Sequence, residues 1–344
     1  MKSKILLIYT GGTIGMKQDP ENGALVPFNF DQILEEVPEL KKFAYQIDTF
    51  SFHPPIDSSE IETGFWQEIA ILIGNKYELY DGFVILHGTD TMSFSASALS
   101  FMLENLEKPV IFTGSQLPIG MLRTDGKENL ISSIEIAAAK DDQGRAMVPE
   151  VCIYFESQLY RGNRTTKHNA ENFRAFRSSN FPCLAEAGVH IRYNTSFINY
   201  PKTWGKKLNV NTSLDTNVAI LKIFPGISHQ VVSGVLNSKG LRAIILETYG
   251  SGNAPTKSWL MDILKEAIAK GIIILNITQC QAGSVDMDAY STGILLKMMG
   301  VVSGFDCTTE AAITKLFFLL GHNFDNQTIK DFLKKNLRGE ISIN

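Results

Sequence analysis

Short apolar runs rich in β-branched side chains alternate along this chain with longer segments whose apolar residues recur at helical spacing. A run such as Ile5-Leu6-Leu7-Ile8 has no polar side, so a strand made from it must be covered on both faces. The intervening helical segments supply that cover, and the combination dictates β-α units around a parallel sheet. Residues 4–9, 82–87, 109–113 and 151–155 read as buried strands, and residues 30–35, 60–73, 92–106 and 128–140 as helices. Between residues 193 and 217 the pattern yields to Asn, Thr, Lys, Pro and Gly with little periodicity, the composition of a connection between domains. It resumes with strands at 218–223, 241–247 and 272–277 and helices at 258–269, 309–319 and 329–335. The expected fold is α/β in two domains: a larger N-terminal parallel-sheet domain over residues 1–195, a linker over 196–216, and a smaller C-terminal α/β domain over 217–344.

Composition narrows the function. With 44% apolar and 20% charged residues the chain can bury sizeable cores, which removes the disordered and fibrous classes. Acidic residues outnumber basic ones, 36 to 32, and no Lys/Arg run tracks a phosphate backbone, so nucleic acid is not an expected partner. The start, Met1 to Tyr9, carries two lysines and a short apolar run like the opening of a signal peptide, but it runs directly into Thr10-Gly11-Gly12-Thr13 without a cleavage site. No apolar stretch approaches the roughly 18 residues of a membrane span, so no membrane partner is expected and the cytoplasm is the expected location. Cys152, Cys183, Cys280 and Cys307 are widely spaced, with no CxxC pair, and read as reduced and mostly buried thiols rather than a disulfide framework or metal site.

Three segments carry candidate chemistry. Thr10-Gly11-Gly12-Thr13-Ile14-Gly15 comes after the first strand, where open α/β sheets place their ligand crevice. A tight turn needing glycine dihedrals is the plain alternative, and a dinucleotide phosphate loop the functional one. The second alternative lacks GxGxxG spacing and a subsequent GKS/T, and two threonine hydroxyls stand where a phosphate loop needs bare backbone. His87-Gly88-Thr89-Asp90-Thr91-Met92 also ends a strand and opens a helix; Asp90 and Thr91 suit helix caps as well as they suit a nucleophile beside a carboxylate. Arg161 to Lys167 lies beyond the fourth strand, and its lysine is either a solvated charge or an amine held near a hydroxyl.

The segments 10–16, 87–92 and 161–167 together resemble the motifs of bacterial type I L-asparaginases. Asp57-Ser58-Ser59, Gly114-Ser115-Gln116-Leu117-Pro118 and Thr278-Gln279-Cys280 resemble the cytoplasmic branch, and the similarity spans nearly the whole chain. The resemblance implies a larger amino-terminal and a smaller carboxyl-terminal α/β domain, active sites assembled between subunits of a homodimer or homotetramer, and L-asparagine as substrate. By position, Thr13 is the implied nucleophile and Thr89, Asp90 and Lys167 a second threonine-centred triad. Ser58 is implied to hold the substrate's α-carboxylate and Asp90 its α-ammonium. Gly88 and Thr89 are implied to contact the substrate, and Ser59 stands where periplasmic relatives have a larger polar residue. Ser115 and Gln116 line the implied pocket, and Asn253 is the implied contribution of a neighbouring subunit. The family's lid usually carries a tyrosine, whereas residues 18–27 have none and offer Ala24 or Leu25 near that place.

Those roles describe amide hydrolysis through a β-aspartyl enzyme, with the Thr89 backbone N–H and loop amides holding the oxyanion. No cofactor or metal is required, because neither a metal-ligand spacing nor a dinucleotide fingerprint is present. His53 and His87 flank motifs and receive no role. A glutaminase or glutaminase-asparaginase of the same fold, an amidotransferase subunit and a non-catalytic ligand-sensing module stay open. The amidotransferase reading would call for a tRNA-facing extension, which is not apparent.

Overall fold

The computed structural model describes residues 2–18, 25–27 and 37–343. The chain divides into two compact units, Met1–Thr212 and Ser213–Asn344. The expected helix at 30–35 and the Asp19–Ala24 part of the expected lid lie outside the described residues.

Unit 1 is built on strands β1 (Lys4–Tyr9), β2 (Gln46–Ser51), β3 (Gly82–Leu86), β4 (Val110–Thr113), β5 (Val151–Phe155) and β6 (Gln158–Arg161). A small hairpin, β7 (Thr166–Lys167) with β8 (Phe176–Arg177), precedes β9 (Ala185–Ala187) and β10 (Ile191–Tyr193). The main sheet has eight strands in the order β10-β9-β6-β5-β4-β3-β1-β2. From β2 to β5 every pairing is parallel, and from β5 outward to β10 every pairing is antiparallel. The sheet is therefore mixed, where the sequence pattern pointed to parallel pairing alone. The antiparallel strands are short and partly exposed, so they lack the continuous apolar run that marks the central ones.

In β1, β3, β4 and β5, successive side chains go to opposite faces and both faces are buried. Ile5, Leu7, Val84, Leu86, Ile111, Cys152 and Tyr154 join one core with Leu130 and Ile134 of helix α3. Among the described residues, the α-helices of this unit are α1 (Thr63–Lys76), α2 (Met92–Met102) and α3 (Gly126–Ala138). Helix α2 is buried everywhere except Phe94, and it stops at Met102 rather than running on to 106. There Leu103–Glu104 leaves the helix to pair antiparallel with Asn209–Val210, inside the stretch expected to be linker. Gln67 Nε2 also donates to Thr212 O at 2.8 Å, tying the end of that stretch to α1.

Unit 2 holds β11 (Val218–Lys222), β12 (Ala243–Thr248), β13 (Ile273–Thr278) and β14 (Val302–Ser303), a four-stranded, wholly parallel sheet in that order. Its helices are α4 (His229–Leu236), α5 (Ser258–Ala269), α6 (Ser291–Met299), α7 (Thr309–Gly321) and α8 (Asn326–Leu333). Leu221, Ile244, Leu246 and Ile274 of the sheet pack with Val232, Leu260, Leu264 and Leu296 of α4, α5 and α6. Ser228, Thr308 and Asp325 cap α4, α7 and α8 through their side-chain oxygens. Beneath α7, Lys315 Nζ meets Glu340 at 2.6 Å in a fully buried pair, and the same ammonium donates to Leu333 O and Lys335 O. The carboxylate accepts from the backbone N–H groups of Leu337 and Arg338, so each buried charge is paired and hydrogen-bonded.

Candidate active site

Three loops meet beyond the carboxyl ends of β1 and β3. Tyr9 pairs with Leu86 at the last rung, and Thr10 extends the register by donating both its N–H and its hydroxyl to Leu86 O, at 3.0 and 2.9 Å. Thr10 O in turn accepts Ile56 N–H at 2.8 Å, which brings in the third loop. A Cβ at Gly11 would lie 2.1 Å from Ile56 O, and one at Gly12 2.5 Å from Gly88 N, with backbone φ of +137° and +88°. The Gly-Gly pair is thus fixed by dihedral angle and by close approach together. The third contact obeys the same logic: a Cβ at Gly88 would lie 2.4 Å from Ser58 Oγ.

Thr13 opens a 3-10 turn, Thr13–Gly15, one residue beyond the point where Gly12 touches Gly88. Its side chain is half-buried, and its hydroxyl has no hydrogen-bond partner among the described residues. The turn rests on Tyr9, whose hydroxyl donates to Gly15 O at 3.3 Å and whose ring fills the space a Cβ at Gly15 would need. Burial pushes the Tyr9 phenol up to about 12, so it serves as a neutral donor at any physiological pH.

Thr89 and Asp90 stand on the loop after β3, and Lys167 reaches both from the end of β7. Lys167 Nζ donates to Thr89 Oγ1 at 2.9 Å and pairs with Asp90 Oδ1 at 2.6 Å. The lysine is remote in sequence from the other two and in direct contact with them in the fold. Ser58 is buried at the start of a 3-10 turn, and Thr91 Oγ1 donates to its carbonyl at 2.7 Å, locking the Ser58 and Asp90 loops together. Ser59 is exposed; its N–H and hydroxyl donate to Asp57 Oδ1 at 2.9 and 2.8 Å, and those bonds hold the Asp57 carboxyl below its usual range. Ser115 is buried with its hydroxyl donated to Leu117 O at 2.5 Å, and Ile119 N–H donates to Ile14 O, which sets the 114–119 loop beside the Thr13 turn.

Asn253 belongs to unit 2. It closes a bridge with Tyr249 around Gly250 and Gly252, and its side-chain oxygen accepts the Thr292 hydroxyl at 2.5 Å.

His87, for which the sequence suggests no role, organises the central loop. Its Nδ1 lies 2.6 Å from Gly88 O, and a carbonyl can only accept, so Nδ1 carries the proton. Nε2 then accepts the Ser95 hydroxyl at 2.9 Å, and Ser95 Oγ accepts Trp66 Nε1–H at 2.9 Å. Complete burial pulls the imidazole down to about 4 and keeps it neutral. Its position directly before Gly88-Thr89-Asp90 is the available signal, but the partners Ser95 and Trp66 come from two different helices. Tyr9 gives no signal of its own, because it reads simply as the last residue of an apolar strand. The four cysteines are free thiols: Cys152 and Cys307 are buried, Cys183 is half-buried and Cys280 is exposed.

Two threonine hydroxyls, a lysine-carboxylate pair and several backbone N–H groups gathered at one sheet edge form a set suited to acyl transfer. Comparison with known proteins agrees with that chemistry. The family model "Asparaginase, N-terminal" matches residues 4–199, and "Glutaminase/Asparaginase C-terminal domain" matches residues 217–333. L-asparaginase 1 of Escherichia coli strain K12 is 44% identical over 99% of this chain and 98% of its own. The crystal structure of L-asparaginase I from Vibrio cholerae O1 biovar eltor superposes with a TM-score of 0.90 at 40% identity, covering 100% of both chains. The thermostable L-asparaginase from Thermococcus kodakarensis gives 0.89 at 31% identity, over 99% of this chain and 100% of that one. With both halves matched and relatives of this identity aligned end to end, the chain belongs to the asparaginase family.

Proposed function

We propose that the protein is an L-asparaginase that hydrolyses the side-chain amide of L-asparagine to L-aspartate and ammonia through a threonine nucleophile. The observation that carries this reading is Lys167 Nζ held between Thr89 Oγ1 and Asp90 Oδ1, one glycine contact away from the turn bearing Thr13. Thr13 Oγ1 adds to the amide carbonyl as its proton is passed on, and the resulting oxyanion is met by the Thr89 N–H with neighbouring loop amides. Collapse of the adduct expels the amide nitrogen, which leaves as ammonia after taking a proton, and a β-aspartyl ester remains on Thr13. Water then adds to that ester, and the second collapse releases aspartate and restores the threonine hydroxyl.

Lys167 and Asp90 manage these protons. As an ammonium, Lys167 donates to Thr89 Oγ1, which leaves the Thr89 hydroxyl proton free to point at the reacting group. Ser58 with Gly88 and Thr89 receives the α-carboxylate, Asp90 receives the α-ammonium, and Ser59 and Ser115 line the remainder. Asn253 completes the site from a second subunit of a homodimer or homotetramer, and the enzyme works in the cytoplasm, as the resemblance of 57–59, 114–118 and 278–280 to the cytoplasmic branch suggests.

The purified protein, assayed for ammonia release with L-asparagine, L-glutamine and D-asparagine, should turn over L-asparagine most efficiently. Preference for L-glutamine would move the assignment to a glutaminase, and no release from any of them would leave only a binding module.

A further inference from the structure

The proposed site depends on Lys167 standing at a fixed distance from Thr89 and Asp90, yet Lys167 is the last residue of a two-residue strand. The turn 168–175 comes directly after it, and the placement of that turn sets where the lysine stands. The turn is wound on itself: His168 N–H donates to Ala175 O at 2.7 Å, Asn169 Oδ1 accepts the N–H groups of Glu171 and Asn172, and Asn172 Oδ1 accepts that of Arg174. It therefore moves as a piece, and Lys167 moves with it.

Facing it is a loop of the opposite character, 114–125, anchored at its base. The half-buried Asp125 carboxylate accepts Gln116 N–H at 3.1 Å on both oxygens, Leu117 N–H at 3.2 Å and Asn129 Nδ2 at 3.3 Å. Asn129 Nδ2 also donates to Gly114 O, and Thr124 Oγ1 to Leu117 O, both at 3.0 Å. From this platform the Gln116 amide extends across the gap and donates to Ala170 O at 3.2 Å and Asn172 O at 3.0 Å. Its amide nitrogen has two protons, and both are committed to backbone carbonyls of the turn.

We propose that Gln116 is a positioning residue: a strut from the Asp125-anchored loop to the 168–175 turn that keeps Lys167 Nζ in reach of Thr89 and Asp90. The inference rests on the role assigned to Lys167 above. It departs from the expectation that Gln116 lines the substrate pocket, because the polar end of its side chain is spent on the turn. Loss of the strut lets the lysine drift, which lowers the rate of chemistry while leaving recognition of the α-carboxylate and α-ammonium in place.

Gln116→Ala and Gln116→Glu, compared with wild type on L-asparagine, test this. Gln116 is half-buried rather than part of the core, so both variants should fold. The alanine variant is expected to lose about tenfold in kcat with KM within about threefold of wild type. The glutamate variant is the sharper probe, because an ionised carboxylate has no proton to offer the two carbonyls and a protonated one has one. Its kcat relative to wild type should be lowest near neutral pH and rise as the pH falls toward 5, whereas the alanine ratio stays flat. A rise in KM at unchanged kcat, or wild-type kcat in both variants, overturns the proposal. Hydrogen exchange at 168–175 separates this from the functional reading. Faster exchange in Gln116→Ala, in a protein whose wild type releases no ammonia, keeps the strut and removes the asparaginase assignment. Unchanged exchange in an active enzyme removes the strut alone.

Discussion

A hydroxyl is a poor nucleophile until something takes its proton, and the candidate groups here differ in what surrounds them. The hydroxyl of Thr10 is spent on Leu86 O, that of Thr91 on Ser58 O and that of Ser115 on Leu117 O, so none of the three is free to act as the nucleophile. Thr89 is engaged by Lys167, and Thr13 has no partner among the described residues. Lys167→Met keeps the length of the side chain and removes the ammonium, so kcat is expected to fall by about a thousandfold with a smaller change in KM. A pure rise in KM, read from steady-state kinetics, would assign the lysine to binding. His87 makes a prediction about stability instead. Its folded value of about 4 lies below the 6.5 of an exposed histidine, so between these pH values the unfolded chain binds a proton that the folded chain refuses. The stability this group provides is complete above about pH 6.5 and is lost as the pH falls toward 4; between pH 7 and 5 the loss is about 2 kcal/mol. Urea unfolding of wild type and His87→Gln at the two pH values measures it, and equal pH dependence in the two proteins would contradict it. Thr13, Thr89, Asp90 and Lys167 are candidates in the sequence through short motifs and the family resemblance those motifs carry, whereas the contact of Lys167 with Thr89 and Asp90 could not be read from spacing. Nor could the sequence reveal the hydrogen bonds of His87, Tyr9 or Gln116, since each is made to partners that only the fold brings together.

At the scale of elements, the central strands were legible because a strand buried on both faces must be apolar throughout, and β1, β3, β4 and β5 are. Strand β2 was not, because it lies at the sheet edge with a polar, half-exposed pattern. The turn from β5 to β6 hid for another reason: Glu156 and Ser157 both have positive φ, 47° and 62°, where such hairpin turns ordinarily use Asn or Gly. Glu156 N–H is held there by Asn129 Oδ1. At Gly12 an alanine would meet Gly88 N at 2.5 Å and Gly88 Cα at 2.6 Å in a left-handed backbone. Gly12→Ala is therefore expected to push the Thr13 and Thr89 loops apart. It should lower kcat by about a hundredfold or more and destabilise the fold by about 1–3 kcal/mol, measured by kinetics and urea unfolding. Wild-type activity in that variant would show that the contact between the two loops does not set their chemistry.

For the whole molecule, the β-α alternation pointed to two α/β units, and the chain is organised as two such units. The polar stretch before unit 2 looked like a free connection because its few apolar residues are scattered, yet Asn209–Val210 uses backbone bonds, which leave no side-chain pattern to read. The proposed sharing of a site between subunits makes a prediction at this scale. If Asn253 acts across an isologous interface, coexpressed Thr13→Ala and Asn253→Ala chains should form hybrids with one intact site, restoring about a quarter of wild-type activity in a random dimer population. Verified hybrids no more active than their parents would show that Asn253 acts within its own chain or not at all, and would end the shared-site reading. The claim on which the rest depends is that Thr13 carries the substrate's acyl group. The measurement is rapid acid quenching of the wild-type enzyme during turnover of L-asparagine, then intact mass and peptide mapping. The account predicts an added mass of one aspartyl group on the peptide containing Thr13, absent in Thr13→Ala; the same adduct on the peptide containing Thr89 would contradict it.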